Sequence, residues 1–403
     1  MFLLGFEMLA EHAPFLGRLD MSRLLFTFLN DHRFLAYGLA GAFILHMWTH
    51  PGRLEYSCII AVSCGLCLVA LLEGETINRS VYPSFLGIGS LGVLCWKACK
   101  NRDPVSLRNL AAAFLVPLAA LATEICLPLT YLVQARSHDV LLYRFDQTLG
   151  FQPSIIMARL FDLFPGLRFA SNIAYGGLPA IVCVLYAVQR EDKNAFRVNL
   201  IAELGIATAA GFLMYFVYPA AGPKYLLGAN FPLHPPSPAE LRSASLVHVS
   251  YLNAMPSLHM TWALLLWWNT LVSKLWLRLL TAFTLVFTVC ATLGLGEHYL
   301  ADLAVAFPFA LIFQGVCSVE ATRRLRYAAV GIGGGFASCF LLFLRYGIPF
   351  IESHPGMSWA FVIVTIGMSS LMARLLLNES GKLRHHAGVK GDEGNECCSA
   401  RLN

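Results

Sequence analysis

Long, almost charge-free runs constrain this chain more than any other feature. "FLAYGLAGAFILHMW" (34–48) and "LRLLTAFTLVFTVCATLGLG" (277–296) are two of many. Runs of that length suit the interior of a bilayer, where a segment has to satisfy its own backbone hydrogen bonds as a helix. The composition agrees: 57% of the 403 residues are hydrophobic and 13% charged, where soluble domains sit nearer one half and one quarter. The expected fold class is therefore all-α, a polytopic membrane protein.

A helical span takes about 20 mainly apolar residues. That criterion predicts about eleven: 32–49, 54–73, 81–98, 107–133, 169–189, 196–218, 256–273, 275–294, 298–317, 326–346 and 357–377. The N-terminus, "MFLLGFEMLAEHAPFLGRLD", lacks the basic start and small-residue cleavage site of a signal peptide, and reads as an interfacial amphipathic lead-in. The charged stretch 138–166 suits helices lying along the interface. Glycines in "GIGGG" (331–335) suit close helix packing. From about 378 the chain is polar, the composition of a disordered tail.

Basic loops orient the chain. Lys97, Lys100, Arg102 and Arg108, then Arg190, Lys193 and Arg197, then Lys274 and Arg278, then Arg323, Arg324 and Arg326 all fall on one face with the tail. That face is expected to be cytoplasmic, which puts the 219–255 loop and the 295–297 turn on the periplasmic or lumenal side. Most of the twelve cysteines lie in apolar runs and read as small apolar residues, the Cys64/Cys67 pair included. Cys397 and Cys398 read as part of a solvated tail. A net charge of +5 suggests no nucleic-acid partner.

Chemistry concentrates in two short stretches, "NAMPSLHM" (253–260) and "GEHYLAD" (296–302). Pro256 fits a first helical turn, so backbone N–H groups and the positive end of a helix dipole face the polar loop, an environment that favours phosphate. Ser257 adds a hydroxyl there, and His259 falls in the same turn. Two crossings later the chain re-emerges on that face, where a helix is expected to begin with His298. Asp302, one turn on, holds one imidazole nitrogen and leaves the other more basic. An oriented nucleophile and a second histidine as acid follow. The bland reading, histidines as interfacial polar residues, is kept for His46, His50 and His354. Loop residues Arg242 and His248 read as solvated. Glu124 and Glu203 lie inside spans, and each either faces a cavity or pairs with a neighbouring helix.

"MPSLH" and "EHYLAD" resemble the second and third signature motifs of the type 2 phosphatidic acid phosphatase (PAP2) superfamily, and within it the inositol phosphorylceramide and sphingomyelin synthase branch. The resemblance covers about 107–317, and "DVLLYRFDQTLGFQP" looks like the segment before that family's catalytic half. It implies N-terminal membrane helices (1–106), a six-helix catalytic core with its interfacial helices (107–317), C-terminal membrane helices (318–377) and a cytoplasmic tail (378–403).

The mechanism implied is two-step transfer. His298 attacks phosphorus and becomes phosphohistidine, Asp302 orients it, and His259 protonates the leaving oxygen and then activates the acceptor. No metal or other cofactor is implied. Donor and acceptor are a membrane phospholipid and a lipid or glycan alcohol. The sequence departs from the family's first motif: in "YPAAGPKYLLG" (218–228) Lys224 is the phosphate ligand, with no Arg-Pro after it. Thr292 stands where the third motif commonly has arginine. Charge neutralisation then falls to Lys224, Ser257, helix N-termini and Arg242, with Glu124 a candidate for binding the acceptor hydroxyl. These departures favour a transferase over a phosphohydrolase. A transporter is the competing class, marked by Glu124 and Glu203, but no internal repeat accompanies it.

Overall fold

The computed structural model describes residues 21–399 apart from 32, 73–80, 134–136, 193–195, 197, 238–239 and 242–250. Every regular element among the described residues is helical. The N-terminal lead-in, Arg242 and His248 lie outside the described residues. The chain forms two compact units, Met1–Glu124 with Pro179–Ala187, and Ile125–Leu178 with Val188–Asn403.

The first unit holds α1 (Met21–Asp31), α2 (Arg33–Met47), α3 (Arg53–Leu72), α4 (Tyr82–Asn101) and most of α5 (Pro104–Val133). Its core gathers Phe26, Leu35, Ala36, Phe85 and Ala120. Along α3, Leu54, Ile60, Leu68, Leu71 and Leu72 point outward, the pattern of a helix solvated by lipid rather than water. His46 corrects an expectation. It is fully buried, with Nε2 3.7 Å from Glu55, which pairs with Lys97 at 2.7 Å. The ends of α2, α3 and α4 converge there and enclose the ring. Glu124 is half-buried on α5.

The second unit starts with short helices, α6 (Asp139–Gln147), α7 (Pro153–Leu163) and α8 (Pro165–Gly176). α9 (Leu178–Glu191) comes next in the chain, and its residues Pro179–Ala187 belong to the first unit. Then come α10 (Leu200–Val217), α11 (Pro223–Leu227), α12 (Leu258–Thr270), α13 (Leu275–Gly294), α14 (Leu300–Cys317), α15 (Arg323–Tyr346), α16 (Ile348–Ser353) and α17 (Pro355–Ser399). At the centre is α14, packed against α10, α12, α15 and α17. Its alanines (Ala301, Ala304, Ala306, Ala310) let several neighbours approach at once, the packing mode of membrane interiors. Of the glycines in "GIGGG", Gly333 makes the close approach: a Cβ there would stand 2.6 Å from the Pro308 carbonyl of α14.

Among the described residues seven helices are long and apolar enough to cross a bilayer, or eight if the α8–α9 pair counts as one span. The expected eleven are not reached on that measure. Three of the expected segments are helical but fall short: α2 has 15 residues and α12 has 13, while glycines, serines and terminal lysines dilute α4. The polar tail, expected to be disordered from 378, continues α17 to Ser399. Extending a formed helix costs far less than starting one, and Glu379 is anchored by accepting from the Thr322 N–H and hydroxyl.

Glu203 takes the packing role. It is buried on α10 and accepts from Asn269 of α12 at 2.7 Å, and Asn269 Oδ1 accepts in turn from Gln314 of α14 at 3.1 Å. These polar links tie three helices together at one end of the unit.

Candidate active site

At the other end of α12 and α14, three loop segments are stitched together by backbone bonds. The Ala254 N–H donates to the Ala220 carbonyl (2.8 Å), and the Lys224 N–H to the Gly296 carbonyl (3.0 Å). Gly222 makes the second joint possible. Its φ is +118°, and a Cβ would come within 2.4 Å of the Glu297 carbonyl oxygen. Only a residue without a side chain accepts both conditions.

Beneath these loops lies α6. Asp139, fully buried, accepts from the N–H groups of Ala221 (3.0 Å) and Gly222 (2.8 Å) and from the Tyr299 hydroxyl (3.0 Å). Asp146, seven residues on along the same helix face, accepts from Leu300 N–H (2.8 Å) and Ala301 N–H (3.1 Å). Burial pushes both carboxyls upward, Asp146 to about 8, against the pull of their amide donors. Ser154 of α7 donates to the His298 carbonyl at 3.0 Å. The segment from Asp139 to Ser154 is thus the clamp of the site.

His298 sits inside this frame, 3% exposed. The helix expected to begin with it begins at Leu300, so His298 stands in the turn before the cap. Its Nδ1 lies 2.9 Å from the Ala254 carbonyl and 3.5 Å from Asp302 Oδ2. A carbonyl only accepts, so Nδ1 carries the proton and Nε2 carries the lone pair. Burial pushes the ring's pKa down to about 4, opposed by the neighbouring Glu297 carboxylate, so the ring is neutral near pH 7. Asp302, expected to hold the imidazole by itself, shares that work with Ala254, because its Oδ2 also accepts from the Tyr299 N–H at 2.8 Å.

At the start of α14 the backbone N–H groups are not open to a phosphate. The N–H groups of Tyr299, Leu300 and Ala301 are taken by Asp302 and Asp146. At α12, Pro256 precedes the helix instead of occupying its first turn. Ser257 is the N-cap, its Oγ accepting from the Met260 N–H at 3.3 Å. That leaves the Ser257 hydroxyl proton as its contribution to any ligand. His259 is half-buried at the second helical position, within electrostatic reach of His298 and stacked on Tyr175.

Lys224 joins the same cluster. Its side chain is 33% exposed, and its ammonium pairs with Glu297 and lies 4.7 Å above the Tyr225 ring. Tyr225 donates to the Tyr251 hydroxyl at 3.2 Å. Thr292, at the position where arginine was sought, is buried. Its hydroxyl donates back to the Thr288 carbonyl, and its own carbonyl accepts from the His298 N–H at 3.1 Å. Among the described residues no three or more His, Cys, Asp or Glu side chains stand as a metal-ligand group.

Of the residues singled out in the sequence, His259, His298, Asp302, Lys224 and Ser257 therefore meet within one unit. Sequence reasoning missed Glu297, Asp139, Asp146, Ser154, Tyr175 and the Ala254 carbonyl. The seven-residue spacing of the two aspartates in "DVLLYRFD" was a legible signal, whereas a backbone carbonyl carries none.

Residues 140–316 match the family model of the PAP2 superfamily. The match covers less than half of the chain and points to no branch within that superfamily. No curated protein and no solved structure matches the chain.

Proposed function

We propose that the protein is an integral-membrane lipid phosphotransferase of PAP2 type. It moves a phosphorylated head group from a phospholipid to an acceptor alcohol of a lipid or glycan through a phosphohistidine. The observation that carries this reading is the state of His298. Its Nδ1–H is committed to a carbonyl and its ring is neutral, so Nε2 presents a lone pair in a dry site.

In the first step Nε2 attacks phosphorus, the bond to the lipid oxygen breaks, and His259 gives that oxygen its proton. In the second, His259 takes the proton of the acceptor hydroxyl as its oxygen displaces Nε2. Lys224 exchanges Glu297 for the phosphoryl oxygens and neutralises their charge. Asp302 steadies the His298 cation that exists between the two steps. The distribution of basic loops supports the non-cytoplasmic face for this chemistry. Thr292 in place of an arginine, and no Arg-Pro after Lys224, support a lipid or glycan alcohol as acceptor. Water as acceptor, a lipid phosphate phosphatase, is the alternative.

Purified protein given labelled phosphatidylinositol or phosphatidic acid, with a lipid alcohol present, distinguishes these outcomes. A new phospholipid supports the transferase, and free phosphate the phosphatase. His298→Ala is expected to abolish either while the protein stays folded. Full turnover in that variant would remove the covalent mechanism.

A further inference from the structure

His259 has a neighbour to which the two-step scheme gives no task. Tyr175, one residue before the end of α8, lays its ring flat on the imidazole, with centroids 3.8 Å apart and planes within 15°. Its helix is seated on α13 and α7, so the ring belongs to a fixed helix end. His259 stands at the second position of α12. Facing His259 are His298 from the 295–299 turn and Tyr175 from α8. Around the Tyr175 phenol stand Glu297, Tyr251, Tyr215 and Tyr225.

We propose that Tyr175 is the positioning residue of His259: its ring face fixes the imidazole plane and steadies the imidazolium that delivers the proton to the departing oxygen. The inference rests on the reading above, in which His259 is the acid. In that step the N–P bond forms at His298, the electron pair of the broken P–O bond goes to the lipid oxygen, and the His259 proton converts that oxygen to the alcohol. Charge leaves the imidazolium as the proton moves. A burial site without bulk water penalises the imidazolium beforehand, and the negative face of an aromatic ring offsets part of that penalty. The ring supplies this and the hydroxyl does not, so phenylalanine or tryptophan serves as well as tyrosine.

The test exploits leaving-group chemistry. A lipid alcohol departs only if it is protonated, whereas p-nitrophenolate departs unaided. Wild type, Tyr175→Leu, Tyr175→Phe, Tyr175→Trp and the benchmark His259→Gln are assayed on the donor that is turned over, phosphatidylinositol or phosphatidic acid. Each is also assayed on the matching ester with p-nitrophenol in place of the diacylglycerol, and thermal midpoints report folding. Tyr175→Leu is expected to lower kcat on the lipid by about tenfold with KM within about twofold, and to lower kcat on the nitrophenyl ester by less than about twofold. Tyr175→Phe and Tyr175→Trp keep most activity on both esters. Equal losses on both esters in Tyr175→Leu, or a loss in Tyr175→Phe matching that of Tyr175→Leu, overturn the proposal. If His259→Gln shows the substrate split and Tyr175→Leu does not, only this inference falls. If the wild type turns over neither donor, the phosphotransferase reading falls and takes it along.

Discussion

The nitrogen of His298 that keeps its lone pair is chosen by an atom on another segment. Because the Ala254 carbonyl binds Nδ1, the lone pair can only be on Nε2, and because the ring is buried it does not fill that lone pair with a proton at neutral pH. In the proposed mechanism His298 is the nucleophile and must be unprotonated, so activity is expected to fall where it takes up its proton. Its pKa is lowered to about 4, which places the ascending limb of kcat/KM due to this group near pH 4, well below the 6.5 of a free imidazole. Glu297→Gln removes a carboxylate that favours the charged ring, so that limb moves further down. A kcat/KM profile for the purified enzyme, wild type and variant, checks both; an ascending limb at 6.5 that Glu297→Gln leaves in place contradicts the burial argument. The Tyr175 substitutions probe the other imidazole by leaving group instead of by pH.

At the scale of elements, the short helix α6 does what the long apolar helices cannot. Spans fix where loops emerge, but the loops at 218–224 and 295–299 need polar partners to hold one conformation. Asp139 and Asp146 supply these from one face of α6. Asp139→Ala would leave two buried N–H groups and a tyrosine hydroxyl without their acceptor, at about 1–3 kcal/mol for each orphaned donor. The expected result is a thermal midpoint lower by roughly 5–10 °C, together with weakened turnover because Gly222 and Tyr299 frame Lys224 and His298. Asp139→Asn keeps an acceptor oxygen and should lose less. Differential scanning measurements on detergent-solubilised protein test this; an Asp139→Ala midpoint within a degree of wild type would show that α6 is not the clamp.

For the molecule as a whole, the helices beyond the family match acquire a task. α15 and α17 flank α14, and the Trp359 indole of α17 donates to the Leu149 carbonyl at 3.1 Å, just past α6. The bidentate Arg144–Glu352 pair adds a rim contact, which half-exposed partners make worth little. With no hydrophobic drive between helices inside lipid, close packing holds such an assembly together. Gly333→Leu would push its side chain into the Pro308 carbonyl and pry α15 from α14. Loss of a monodisperse gel-filtration peak, or a midpoint lower by roughly 5 °C, is expected. A variant as stable as wild type would show that α15 merely accompanies the core.

Much of this was legible from residues alone, because bilayer physics is written in composition. Apolar runs dictate helices, and two histidines separated by two crossings return to one face whatever the loops do. The spacing of His298 and Asp302 likewise places them one turn apart without reference to any neighbour. What the chain order concealed is pairing across distance: the carbonyl of Ala254 on His298, Asp139 under Gly222, the phenol of Tyr175 against His259, and the burial of His46. Those depend on which backbone atom or ring face a remote segment presents. Side-chain identity does not encode that, and only the packed tertiary structure decides it.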